Sequence, residues 1–465
     1  MHGLFKPRSS PIIKDESAFQ YQKDKGESSM KKAWITSLAL TLMLTSVVGC
    51  SSGNNTNVAK TNANPSANGN TAKEVKLKFS IWGNETHAEM YQGMAETFKE
   101  THPNVSVEIM SIPLTDYQQK LSIMSASKTA PDLGWVAERM IPQFISANQI
   151  IDISEVKSDA EYNFNDFNPV SYELFDQEGK LYGIPFSTPP AMIFYNKSLF
   201  QAKGLKTPTE LYKEGKWTYE EFSKAAKELT DPSKGVYGAK LFRESKNWSD
   251  AIVPLVWSHG ADLFNEEGNR FAMNTPEGLQ ALQLFDDLMF KDESHVKPGD
   301  QTTFESGKLA MFQDRYSNVT KARAIQDFEW DIAPMPSGPK GTVTSLGLAG
   351  YSVFEGTKHA EEALAFLKFI SNQENMSTTA KYFVPSRTAV LNSDAFMKSD
   401  PKPSAESIKL AVIDQMTNAK FSPAHKNWQK IDSEMQIMFD LLYTRTESVD
   451  QVLKRMEEHI DPLTK

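Results

Sequence analysis

The stretch that most constrains this chain is 178–199, a proline-rich passage between two apolar runs. Glu178-Gly179-Lys180 has the composition of a turn, and 181–184 predicts a short strand. Ser187, Thr188, Pro189 and Pro190 follow. Proline fixes φ and pushes its predecessor towards extended geometry, so these four residues predict a stiff crossing. Residues 191–195 predict a second strand, and Asn196 is placed to cap a helix starting near Lys197. A strand leaving one sheet, an extended crossing and a strand entering another are what a hinge between two α/β lobes requires.

Upstream of the crossing the pattern alternates. Residues 75–82 read as a strand ending at Trp82-Gly83-Asn84-Glu85, and Met90, Tyr91, Met94, Ala95 and Phe98 recur at helical spacing. Residues 105–109 give a second strand, Tyr117, Leu121 and Met124 a second helix, and 131–136 a third strand. This β-α-β-α-β order argues for a parallel sheet covered by helices, with ligands at the carboxyl ends of strands. Those ends place Trp82, Asn84, Glu85, Trp135, Glu138 and Arg139 among the candidates, and Asp132 belongs to the same group of strand-end polar residues.

Downstream, Thr218 and Glu221 fit a capping box, 235–241 a strand, 250–259 an apolar helix and 264–271 a hairpin. Thr275-Pro276 opens another helix, and 309–312 is a buried strand ending on Asp314, Arg315 and Tyr316. Residues 330–336 suggest a strand and a second proline-rich crossing back to the first lobe, near 333–336. Gly347, Gly350 and Tyr351 lie in a glycine-rich loop where backbone can approach a ligand closely. The expected division is 75–187 with 334–384 for lobe 1 and 188–333 with 385–465 for lobe 2.

The amino terminus reads as a delivery signal. Met30-Lys31-Lys32 is a short basic start, 33–48 is uncharged and largely apolar, and Val47-Val48-Gly49-Cys50 ends it. The apolar run is shorter than the roughly 20 residues that span a bilayer. Its end resembles a bacterial lipoprotein signal, which implies lipidation of Cys50. Residues 1–29 carry no pattern, and Met30 is the expected start. Residues 51–72 are rich in Asn, Ser, Gly and Ala with no aromatic residue, so 50–74 is expected to be a flexible tether. Cys50 is the sole cysteine, which excludes an intramolecular disulfide and a Cys-ligated zinc site. Loss of 1–49 removes seven basic and four acidic residues, taking the formal charge from −9 to −12 and arguing against a nucleic-acid partner.

Gly-Lys-Leu-Tyr-Gly-Ile-Pro at 179–185 with Phe-Tyr-Asn-Lys at 194–197 resembles the interlobe crossing of extracellular solute-binding protein family 1, the maltose-binding-protein-like receptors of sugar ABC importers. Gly307-Lys-Leu-Ala-Met311, Pro334-Met-Pro336 and Gly347 with Tyr351 recur in the same order, so the resemblance covers about 75–465. It implies an α/β two-lobe periplasmic-binding-protein-like (type II) fold, each lobe a mostly parallel sheet flanked by helices. It implies ligand contacts by Asp314, Arg315 and Tyr316, and a cleft aromatic at Trp428. Sugar rings need flat apolar faces and planar polar partners, which adds Trp257, before a helix-ending glycine, to the candidates. Ser187 and Thr188 lie on the crossing and can meet ligand as the lobes close.

Catalytic signatures are poor. Ser125-Ala-Ser-Lys128 lacks its Ser-Asp-Asn and Lys-Thr-Gly companions, and Gly-x-Ser-x-Gly, His-Glu-x-x-His and a Walker loop do not occur. Asn265–Asn269 lacks calcium-loop spacing. The expected function is capture of a sugar or oligosaccharide by a monomer held at the membrane through its lipid alone, and delivery to an ABC permease. No cofactor or metal is expected. The rivals are a surface-anchored carbohydrate-active enzyme and a sensory receptor feeding a membrane kinase.

Overall fold

The computed structural model describes residues 73–242, 248–423 and 425–465. The signal segment, Cys50 and the tether through residue 72 lie outside the described residues. In the first lobe, Val75–Ile81 pairs in parallel with Val105–Ser111 on one side and Leu133–Ala137 on the other. Val75, Leu77, Phe79 and Ile81 are buried, as are Tyr91, Met94, Ala95 and Phe98 of the Glu85–Thr101 helix, in one continuous core. The helical and alternating periods of the sequence thus meet as two apolar faces. Ala349–Val353 and then Ile184–Ser187 complete a five-stranded sheet, both added antiparallel.

The second sheet runs in the order Trp330–Ala333, Ala191–Asn196, Leu309–Arg315, Tyr237–Lys240. Its first two pairings are antiparallel and its third is parallel. Each sheet is therefore mostly parallel with one reversed strand, Ala349–Val353 in the first and Ala191–Asn196 in the second. The reversal belongs to strands next to the crossings, which bring the chain in from the opposite lobe. Ala191–Asn196 is buried on both faces: Met192 and Phe194 enter one core, and Ala191, Ile193 and Tyr195 the other. The Asn196 side chain caps the next helix by accepting the Leu199 N–H at 3.1 Å.

Three boundaries differ from expectation. The strand expected at 181–184 is split: Lys180–Leu181 folds back on Asp176–Gln177, and Ile184–Ser187 joins the sheet. The Pro334-Met-Pro336 passage does not cross back. The Trp217 indole donates to the Pro334 carbonyl at 2.9 Å, Ser337 N donates to the Trp217 carbonyl, and Lys340 N to that of Ser258. Those bonds keep 334–340 on the second lobe, and the chain returns through 344–348. Finally, Arg387 is still bonded to Tyr162, Asn163 and Ser371 of the first lobe, beyond the expected change at 385.

Candidate functional site

The two lobes meet where three chain segments lie side by side. The crossing 187–191 runs against 344–348: the Thr344 hydroxyl donates to the Ala191 carbonyl at 2.7 Å, and Gly347 N to the Pro189 carbonyl at 2.9 Å. Thr344–Leu346 also pairs in parallel with Ala419–Phe421. Proline supplies no N–H, so 189–190 can pair only through their carbonyls, and that of Pro189 accepts from Gly347 N. Ser187 closes the edge of the first sheet against Ala349. Thr188 is fully buried, with its hydroxyl 2.9 Å from that of Ser386. Both residues therefore have structural partners on the crossing itself.

On the first-lobe side Trp82 is half-buried, edge-on to Trp135 (centroids 4.9 Å) and Tyr117 (5.2 Å). Trp135 is buried beneath it, packed on Tyr91, Phe186 and Phe383. Tyr351 is equally buried, its ring stacked on Phe186 and its hydroxyl 2.6 Å from that of Tyr91. Trp135 thus backs Trp82, and neither it nor Tyr351 lines an open surface. Asn84 caps the Glu85–Thr101 helix through the His87 N–H, and Glu85 is exposed in the first turn. Asp132 sits at the amino end of Leu133–Ala137, opposite the ligand end of a parallel strand, and accepts from Lys78 N (2.8 Å) and the Thr357 hydroxyl (2.5 Å). Glu138 and Arg139 follow the carboxyl end of that strand; Glu138 accepts from Leu348 N at 3.0 Å and Arg139 is exposed.

On the second-lobe side Arg315 ends its strand beneath the crossings. Its Nη1 donates to the carbonyls of Pro189 (2.9 Å) and Ser345 (3.0 Å), and its Nη2 to Asp250 (2.8 Å) and the Ser345 hydroxyl (3.3 Å). Burial works against its charge, but Asp250, Glu138 and Asp314 together hold its pKa above the usual value. Asp314 is half-buried and accepts the Arg315 N–H. Gly347 lies against the guanidinium, where a Cβ would stand 3.1 Å from Nε. Tyr316 turns away into the core against Phe396.

Trp257 is largely buried, donates to Asp262 at 2.8 Å, and carries the Lys420 ammonium 5.5 Å above its ring. Trp428 is half-buried and stacks on the fully buried Trp248, whose indole N–H donates to Asp432 at 2.8 Å. Burial raises the Asp432 carboxyl, and the Arg139 charge of the first lobe opposes that rise. The geometry thus adds Asp250, Asp432, Trp248 and Lys420 to the residues picked from sequence. It also adds His87, stacked on Phe383 with its pKa lowered by burial. Sequence offered only a weak signal for Asp250 and Asp432, because isolated charges on helices look like solvated faces.

Half-buried indoles with planar carboxylates and a guanidinium nearby are equipped to hold a polyhydroxylated ring: apolar faces for C–H bonds, charged oxygens for hydroxyls. Among the described residues no group of three His, Cys, Asp or Glu side chains is placed to hold a metal ion.

The family model for bacterial extracellular solute-binding proteins matches residues 83–377. An arabinooligosaccharide-binding protein of Halalkalibacterium halodurans is 22% identical over 409 residues, 81% of this chain and 86% of that one. An ABC substrate-binding protein of Listeria monocytogenes in complex with cycloalternan superposes with a TM-score of 0.75 at 22% identity, covering 84% of this chain and 99% of the other. UgpB from Mycobacterium tuberculosis, in complex with glycerophosphocholine, gives 0.74 at 15% identity, covering 83% and 98%. The two-lobed fold with its crossings is that of these receptors, a family of binding proteins rather than enzymes. The chain belongs to the bacterial extracellular solute-binding protein family.

Proposed function

We propose that this protein is an extracytoplasmic receptor that captures a sugar or oligosaccharide between its lobes and delivers it to an ABC permease, tethered to the membrane by lipid on Cys50. The observation that carries the reading is the pairing of aromatic and polar groups across the crossings: Trp82 and Arg139 on one lobe, Trp428, Trp257 and Asp250 on the other. Rotation at the crossings brings the second set over a ligand held by the first. The permease then needs differential affinity for the closed form, since equal affinity for both forms transmits nothing. The ligands named for the Halalkalibacterium and Listeria proteins support a saccharide.

The test is a thermal-shift screen of Thr71–Lys465 against neutral mono- and oligosaccharides, uronates, sugar phosphates, glycerophosphodiesters and peptides. A ligand at 100 times its Kd adds about 2.7 kcal/mol to the folded state and must raise Tm. A shift with one saccharide class establishes the receptor and names its substrate. A shift confined to a glycerophosphodiester, the class bound by the UgpB neighbour, removes the word sugar and keeps the receptor.

A further inference from the structure

We propose that Arg315 is a positioning residue, a bolt between two crossings that sets the resting angle of the lobes, and that ligand reaches it through Asp250. This rests on the closure mechanism proposed above. Arginine carries five N–H donors in a fixed planar fork. Four contacts from its two terminal nitrogens go to protein: Pro189 on one crossing, Ser345 twice on the other, and Asp250 on the Trp248–His259 helix. The side chain is 17% exposed, and its remaining nitrogen, Nε, faces Gly347. Little of the guanidinium is left to greet a ligand.

The two carbonyls it grips belong to segments that each join the lobes. Rotation of one lobe on the other slides these segments past each other, and a rigid fork bound to both resists the slide. Lysine cannot do this, because one ammonium lacks the planar two-pronged geometry. Gly347 is the complementary element: its missing Cβ lets 344–348 lie flat on the guanidinium. Asp250 provides the route to the ligand. Its side chain is 42% exposed and its Oδ1 holds Nη2. A ligand hydroxyl or ammonium bound to that carboxylate competes with Arg315, draws the fork off its carbonyls and frees the crossings to turn.

The experiment exploits the lack of cysteine outside Cys50. Lys99→Cys on the Glu85–Thr101 helix and Lys224→Cys on the Tyr219–Leu229 helix, both exposed, place one spin label on each lobe of Thr71–Lys465. Interlobe distances are then read by pulsed electron resonance without ligand. Arg315→Lys and Arg315→Gln should both shift or broaden the distribution relative to wild type. Gly347→Ala, which keeps Arg315 and displaces it, should do the same, and serves if the arginine variants fold poorly. A tenfold change in the binding-competent fraction appears as roughly a tenfold change in apparent affinity. Distributions that superimpose on wild type in all three variants overturn the proposal, whether affinity falls or not. Because the readout needs no ligand, failure of every saccharide in the thermal screen leaves this result standing.

Discussion

Arg387→Met tests the energetics of the first lobe and of the crossing that leans on it. Arg387 is 2% exposed. Its guanidinium donates to the carbonyls of Ser371 (2.8 Å), Tyr162 (2.9 Å) and Asn163 (3.0 Å), approaches Asp166 at 3.5 Å, and lies 4.2 Å from the Phe167 ring centroid. Methionine fills a similar volume, so the loss is electrostatic rather than a cavity. The buried carbonyls of Tyr162 and Ser371 lose their donor at about 1–3 kcal/mol each, the half-buried one of Asn163 at less, while the desolvation of the guanidinium is recovered. The net expected loss is about 4 kcal/mol, a large part of the roughly 5–15 kcal/mol that holds a typical domain together. Urea unfolding of Thr71–Lys465 followed by tryptophan fluorescence should show a lower midpoint with an unchanged slope. Arg387→Lys should fall between the two. Because 384–386 bonds Thr188, the variant should also loosen the 187–191 crossing. A loss below about 1 kcal/mol would refute the reasoning, since it would mean that the carbonyls find water or new donors at little cost.

Other perturbations separate site from scaffold. Trp428→Ala should weaken saccharide binding at least several-fold, from the 0.5–1.5 kcal/mol or so that an aromatic pair gives beyond its buried area; unchanged calorimetric affinity removes Trp428 from the site. His295 is fully buried, accepts from Leu241 N and Phe242 N through Nε2, and its pKa is pushed down to about 4 by burial. Below the unfolded value of about 6.5 the unfolded chain binds a proton that the folded chain refuses, so stability falls by about 3 kcal/mol as pH drops from 6.5 towards 4. His295→Gln should lose stability at neutral pH but flatten that dependence, and parallel pH curves would reject the assignment. Three carboxylates around one guanidinium leave the crossing acidic, so uronates and sugar phosphates should bind more weakly than their neutral counterparts, by titration at matched ionic strength. Cys50→Ser should move the protein from the membrane to the soluble fraction; retention would disprove the lipid anchor.

What the sequence disclosed was local. Asn196 before a helix start and Trp82 at the end of an alternating run need only their neighbours to be interpreted, and both stand where those neighbours put them. Pro334-Met-Pro336 resembled a crossing because proline marks extended chain wherever it lies; what decides its lobe is the Trp217 indole, 117 residues upstream. Trp135, at an expected strand end, and Tyr351, in an expected glycine-rich loop, passed as surface candidates because neither context tells whether a ring faces the core or the cleft. Arg315 was legible as important but not in its task. Its meaning lies in Pro189, Ser345 and Asp250, which no periodicity connects. The same division explains the chemistry of such a receptor. The cores are specified by amphipathic strands and helices, and one of those cores runs from the first lobe onto one face of the second sheet. In the proposed mechanism closure turns on a few long-range polar contacts at the crossings, and contacts of that kind shift the balance between open and closed without repacking those cores.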